Sequence, residues 1–337
     1  MTAQSLSHNE PALDRPVTLR FQGDWGQANL HRVCGWLAQE VGDRSSAGSN
    51  ITIRSGRGGI DSLQAVLSGE IDVALTTPTV VARMAAKGLG SLAVEGGERL
   101  RGLGTVPQRD RLVTCVDAAL GISSMDELGS RMSELRIATA PDDGINPVGV
   151  AAFRQLEALG ITPARLHDAG GSLMTWERPF PSLGAFRDGE ANVLIQEAIM
   201  TPSWQRIADN HEVVYLDANS PVISAFREWE WPTAVVPKGY LPGLQQDLTA
   251  LEFSDFLLVC TDQLPEDVAS LLAWCIVATR DALEVQYHHF PGDRSPITHP
   301  FVPEALASSL IPLHPGAAAR YATMSFDETA GDVRLWT

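Results

Sequence analysis

The chain has 337 residues, of which 44% are hydrophobic and 20% charged, which excludes a disordered polymer and suffices for one large or two medium cores. Its formal net charge of −16 repels phosphate backbones and anionic head groups over the average surface, so no nucleic-acid partner is expected. No segment approaches the ~18 consecutive apolar residues of a membrane span, so the chain is not expected to be integral to a membrane.

Residues 1–16 read as a flexible lead. Met1 to Arg20 lacks the basic and then apolar order of an export signal, which points to the cytoplasm if the chain is the complete precursor. Val17 to Gln22 predicts a first strand, and the helix after it sets Leu30, Val33, Cys34, Leu37 and Val41 on one face before Gly42. Next come a strand over 50–55, a glycine turn over 56–59, a helix carrying Ile60, Leu63, Val66 and Leu67, and a strand over 71–75. The rhythm returns with a strand over 136–140 and a helix from Pro147 to Leu159, stopped by Gly160. A strand over 191–196 leads to a helix after Thr201, and a strand over 256–260 to a long helix from Pro265 to about Glu284. This strand, turn and helix alternation predicts an α/β fold of mostly parallel sheets covered by helices. The rhythm breaks at 115–123 and 220–237. A discontinuous first lobe of 17–115 and 237–337 with a second lobe of 116–236 fits those breaks, with crossings near 115–120 and 225–237. The four cysteines, Cys34, Cys115, Cys260 and Cys275, are far apart in apolar stretches and predict buried, reduced thiols.

Three strand-to-helix junctions repeat one pattern, Thr77-Pro78, Asn146-Pro147 and Thr201-Pro202: a capping residue and then proline at the first helical position. Because the carboxyl ends of strands line the crevice of open α/β sheets, helix starts there present free N–H groups to an anion. Arg57, ahead of Gly58 and Gly59, is the cation placed to pair with a carboxylate.

An ordered set of segments carries a family resemblance. Phe21-Gln22-Gly23-Asp24-Trp25-Gly26-Gln27 is followed by Gly58-Gly59-Ile60-Asp61-Ser62-Leu63 and Ser68-Gly69-Glu70-Ile71-Asp72. Gly121-Ile122-Ser123-Ser124 precedes Leu264-Pro265-Glu266-Asp267-Val268 and Pro312-Leu313-His314-Pro315-Gly316-Ala317. Over roughly 17–321 the chain resembles the TAXI family of solute-binding subunits that serve TRAP transporters. The resemblance implies a two-lobed periplasmic binding protein of type II architecture, a periplasmic location, TRAP membrane subunits as partners, and no cofactor. The expected ligand is a small organic anion held by Gln22, Trp25, Arg57, Gly58, Thr76, Thr77, Asn146, Gln196 and Trp204. The turns at Asp24-Trp25 and Asp142-Asp143 depart from the family's small-residue turns. Those carboxylates, Asp24, Asp142 and Asp143, carry the alternative of a cytoplasmic decarboxylase or lyase on the same fold.

His288, His289 and His299 lie in one loop-like stretch, but their spacing matches no usual ligand pattern, and no metal is expected there.

Overall fold

The structure, a computed structural model, describes residues 10–24, 29–92 and 94–326. The strands in chain order are β1 (Thr18–Asp24), β2 (Asn50–Gly56), β3 (Val73–Thr76), β4 (Leu100–Val106), β5 (Arg111–Asp117) and β6 (Arg136–Thr139). They continue with β7 (Ser172–Thr175), β8 (Val193–Glu197), β9 (Val213–Leu216), β10 (Thr233–Val236), β11 (Leu248–Glu252) and β12 (Phe256–Thr261). Two sheets result, one ordered β2-β1-β3-β12-β4 and the other β10-β11-β5-β8-β6-β7 with β9 also on β5. Each sheet is the frame of one lobe, and the molecule is a two-lobed α/β protein. Parallel pairing is concentrated in β2-β1-β3 and in β8-β6-β7. The antiparallel strands include β5, β11 and β12, which flank the points where the chain passes between lobes.

Those crossings are not where the breaks in rhythm put them. The chain changes sheet between Val106 and Arg111 and again between Glu252 and Phe256. The two crossing segments bond to each other: Phe253 N donates to Asp110 O (3.1 Å), and Asp255 N to Gln108 O (3.1 Å). Residues 237–252 therefore stand with the second lobe, because β11 pairs with β10 and β5 rather than with any first-lobe strand. The described part of the lead, residues 10–16, is tied to the first lobe. Leu13 is buried and its N–H donates to Arg44 O (2.8 Å), while Arg15 forks onto Asp267.

Helix α1 (Asn29–Asp43) buries Leu30, Val33, Cys34, Leu37 and Val41 as its periodicity requires, and adds Trp36. They join Phe21, Leu258, Cys275 and Tyr321 in a first-lobe core. A second-lobe core gathers Val113, Phe186, Leu194 and Trp204. A third cluster runs from α2 (Gly59–Leu67) and α3 (Thr79–Lys87) into the second lobe, joining Leu63 and Val81 to Ile137, Leu156 and Trp231. Apolar packing is thus continuous from lobe to lobe. All four cysteines are free and buried.

Candidate functional site between the lobes

The carboxyl ends of β1, β2 and β3 face those of β6, β7 and β8, and the side chains at these ends are polar. On the first-lobe side, Gln22 Nε2 donates to Asp61 Oδ2 (2.9 Å), which also accepts the Arg57 N–H (2.8 Å). Thr76 Oγ1 donates to Gly59 O (2.8 Å), and Thr77 Oγ1 is buried without a partner. Gly58 and Gly59 have φ of +72° and +52°, a region that side-chain-bearing residues rarely adopt. Gly59 also lies so close to the second lobe that an added Cβ would stand 2.6 Å from Pro147 Cγ.

Arg57 crosses the cleft. Its Nη2 donates to Asp143 Oδ2 (2.5 Å) and its Nε to Glu177 Oε1 (2.8 Å), both in the second lobe. Burial pushes the Asp143 carboxyl up, but Arg57 and the Asn146 and Ile145 N–H groups outweigh that and hold it below its ordinary value. A second bridge joins Arg83 and Lys87 of α3 to Glu230, with Lys87 Nζ 2.8 Å from the carboxylate. The lobes are closed on each other at both places.

Behind Arg57 the chemistry is acidic. Asp24, at the end of β1, is 4% exposed, and its Oδ1 has no partner. Burial raises its carboxyl to about 6. Glu197, at the end of β8, is partly buried and raised to about 7 by desolvation and then by the charge of Asp24. Its other neighbour is Asp110 in the first crossing, fully buried and raised well above its ordinary value by desolvation and by Glu197. Asp110 Oδ1 accepts from Arg111 N (2.6 Å) and Ile199 N (3.0 Å), whereas Oδ2 has no donor from the protein. The Glu197 carboxyl of the second lobe thus feels both the first-lobe carboxyl of Asp24 and the hinge carboxyl of Asp110.

Residues 32–323 match the model of the NMT1-like family. The chain belongs to the NMT1-like family. Comparison with curated proteins gives no match. Among solved structures, this NMT1-like chain is similar to MatC from Rhodopseudomonas palustris with bound malate, at 15% identity over 87% of this chain and 94% of that one, with a TM-score of 0.49. It is also similar to a TctC solute binding protein from Polaromonas, at 12% identity over 90% and 96% of the two chains, with a TM-score of 0.46.

Several residues singled out in the NMT1-like sequence take other roles in the structure. Asn146 is a helix cap whose Oδ1 accepts from Val148 N (3.1 Å), and its Nδ2 donates to Glu177 O (3.1 Å). The other two junctions are not caps of that kind. Helix α3 starts at Thr79, whose N–H donates to Ser254 O in the second crossing (3.2 Å), with Pro78 at the cap position. The helix Thr201–Ala208 starts one residue early, with Met200 at the cap position and Thr201 N donating to Ile199 O (2.7 Å). Gln196 is buried, donating to Ser182 Oγ (3.0 Å) and accepting from Glu197 N (3.0 Å). Trp204 is a core residue with no exposed surface, its Nε1 donating to Glu197 O (2.9 Å), so it does not wall the cleft. Asp142 is exposed. Trp25 lies outside the described residues. Glu197 and Asp110, which make up the acidic site with Asp24, are not among the residues expected from the sequence. The signal for Glu197 was present, since it follows Gln196 at a predicted strand end, whereas nothing local marks Asp110.

Cavities of about 510 and 830 Å³ lie elsewhere. The first is at the hinge, lined by Pro78, Arg83, Gln108, Arg109 and Asp255, and the second lies along His211, Tyr215 and Asp247 of the second lobe. Among the described residues no helix is long and apolar enough to cross a membrane.

Proposed function

We propose that this protein binds a small organic solute between its lobes and closes over it. The observation that carries this is the Arg57 bridge to Asp143 and Glu177, which lies across the same cleft as the Asp24 and Glu197 carboxyls. A cleft crossed by exchangeable ion pairs suits hinge closure on a ligand. The carboxylate ligand expected from the sequence is supported by Arg57 alone, and that guanidinium already holds two carboxylates. The solute we propose carries an amino group for Asp24 and Glu197 and a carboxylate that takes the place of Asp143 or Glu177 on Arg57. The ordered motifs shared with the TAXI family support a TRAP-type membrane component as the partner that receives the solute, and a site of action outside the cytoplasm.

Native mass spectrometry of the purified protein tests the reading, followed by thermal shift against matched carboxylic acids, amines and amino acids. A co-purified or stabilising solute with both groups is the expected result. Stabilisation by simple dicarboxylates and none by amino compounds would overturn the ligand class. An enzymatic reading, a decarboxylase or lyase, is favoured by one observation, the buried Asp24 raised to about 6 within the cleft. Incubation of the identified solute with the protein and analysis for product decides between binding and turnover.

A further inference from the structure

The helix Asp281–Glu284 passes into a single 3-10 turn, so Glu284 and His288 stand one turn apart on the same side. Glu284 is held in place: Oε2 accepts the Phe301 N–H (2.6 Å), and Oε1 lies 3.3 Å from His288 Nε2. His299 arrives from the far end of the following loop, its ring 5.3 Å from that of His288. Its Nε2 is buried and has no hydrogen-bond partner. One donor atom from each of Glu284, His288 and His299 lies within 4.8 Å of the other two.

We propose that Glu284, His288 and His299 form a binding site for a first-row transition-metal ion, with zinc as the best match. Two imidazoles and one carboxylate are borderline-soft donors that suit zinc and its neighbours rather than calcium or magnesium. Zinc bonds of ~2.0 to 2.2 Å in a tetrahedron put ligand atoms about 3.3 Å apart, the separation that Glu284 Oε1 and His288 Nε2 already have. A fourth position is left for water. The Phe301 N–H on Glu284 is the kind of outer contact that orients a ligating carboxylate, and the unpartnered His299 nitrogen is the group a metal would satisfy. His289 turns away and packs on Phe290 at 4.1 Å between centroids, so it is not a ligand.

The position gives the ion a consequence. The loop between His288 and His299 straps the hinge: Thr298 N donates to Pro107 O (2.8 Å) in the first crossing. Arg294 Nη2 donates to Gly239 O (2.7 Å) in the second lobe. A metal joining His299 to Glu284 and His288 fastens that strap to the first lobe.

The test is calorimetric titration of zinc chloride into tag-free, EDTA-stripped full-length protein, with thermal melts in parallel. One equivalent bound with a dissociation constant of about 10 µM or tighter is expected, and at a hundredfold excess over that constant the unfolding equilibrium constant falls about 100-fold. His288→Ala, at a side chain 57% exposed and so safe for folding, removes both effects, as does His299→Ala. His289→Ala keeps them. Absence of zinc binding below about 100 µM, or an unchanged zinc response in His288→Ala, overturns the proposal. A response lost only in His289→Ala overturns it equally.

Discussion

Arg57 of the first lobe donates to Asp143 of the second at 2.5 Å, and the same guanidinium reaches Glu177 at 2.8 Å. A residue that the sequence marks as a ligand anchor is thus a latch in the closed structure. Partly exposed ion pairs contribute little each, so Arg57→Ala is expected to cost about 1 kcal/mol in urea denaturation. It should also shift ligand-free protein toward a more open form in small-angle scattering. Solute affinity should fall about a hundredfold or more, because the change removes both the latch and the proposed partner of the solute's carboxylate. A loss of about tenfold or less, the effect of a smaller closed population alone, would make Arg57 a latch only.

Gly59 tests the same closure by steric means. Its φ of +52° and the 2.6 Å approach of Pro147 leave no room for a side chain. Gly59→Ala is expected to hold the lobes apart, raising the radius of gyration and weakening solute binding. An unchanged scattering profile would show that the lobes do not need this contact to close.

The acidic site sets a pH dependence. Asp24 and Glu197 rise from ordinary values of 3.8 and 4.5 to about 6 and about 7, and Asp255 at the hinge rises to about 6, all chiefly by burial. For an acid whose value is raised by folding, the contribution to stability is full below the ordinary value and is lost as the pH climbs through the folded one. Ligand-free stability is therefore expected to fall between about pH 4.5 and pH 7, within the window those values define. Melts of Asp24→Asn with Glu197→Gln should be flatter across it. Asp143, held low, acts in the opposite sense only below its ordinary value.

An amino-bearing solute binds the ionised pair, so its affinity should rise over the same window and its binding should release protons. Titrations in buffers of different ionisation enthalpy measure that release. Proton uptake, with affinity falling as pH rises, would favour an anionic solute.

Asn146 separates a cap from a contact. Losing its bonds to Val148 N and Glu177 O should lower stability by about 1 kcal/mol in Asn146→Ala, the usual range for a lost N-cap. Solute affinity measured well below the melting temperature should change little.

The sequence by itself determined the elements whose pattern is local. Helix α1 carries its apolar face at 3.6-residue spacing, and the strands at 18–24, 50–56 and 193–197 end in polar turns. The Asn146 cap was legible for the same reason: its partners lie two and three residues away. Only the tertiary structure decided the rest. Strands β4, β5 and β11 carry no alternation, since their residues are largely buried, and they pair with segments distant in the chain. The lobe crossings followed from those pairings and not from breaks in rhythm. Asp24, Asp110 and Glu197 come from a first-lobe strand, the hinge and a second-lobe strand, so their meeting depends on how the lobes close. Glu284 and His288 are neighbours by helical spacing, but His299 joins them only because the hinge strap folds back. Periodicity reports which face of an element is buried; it carries no information about which distant carboxylate or imidazole shares that burial.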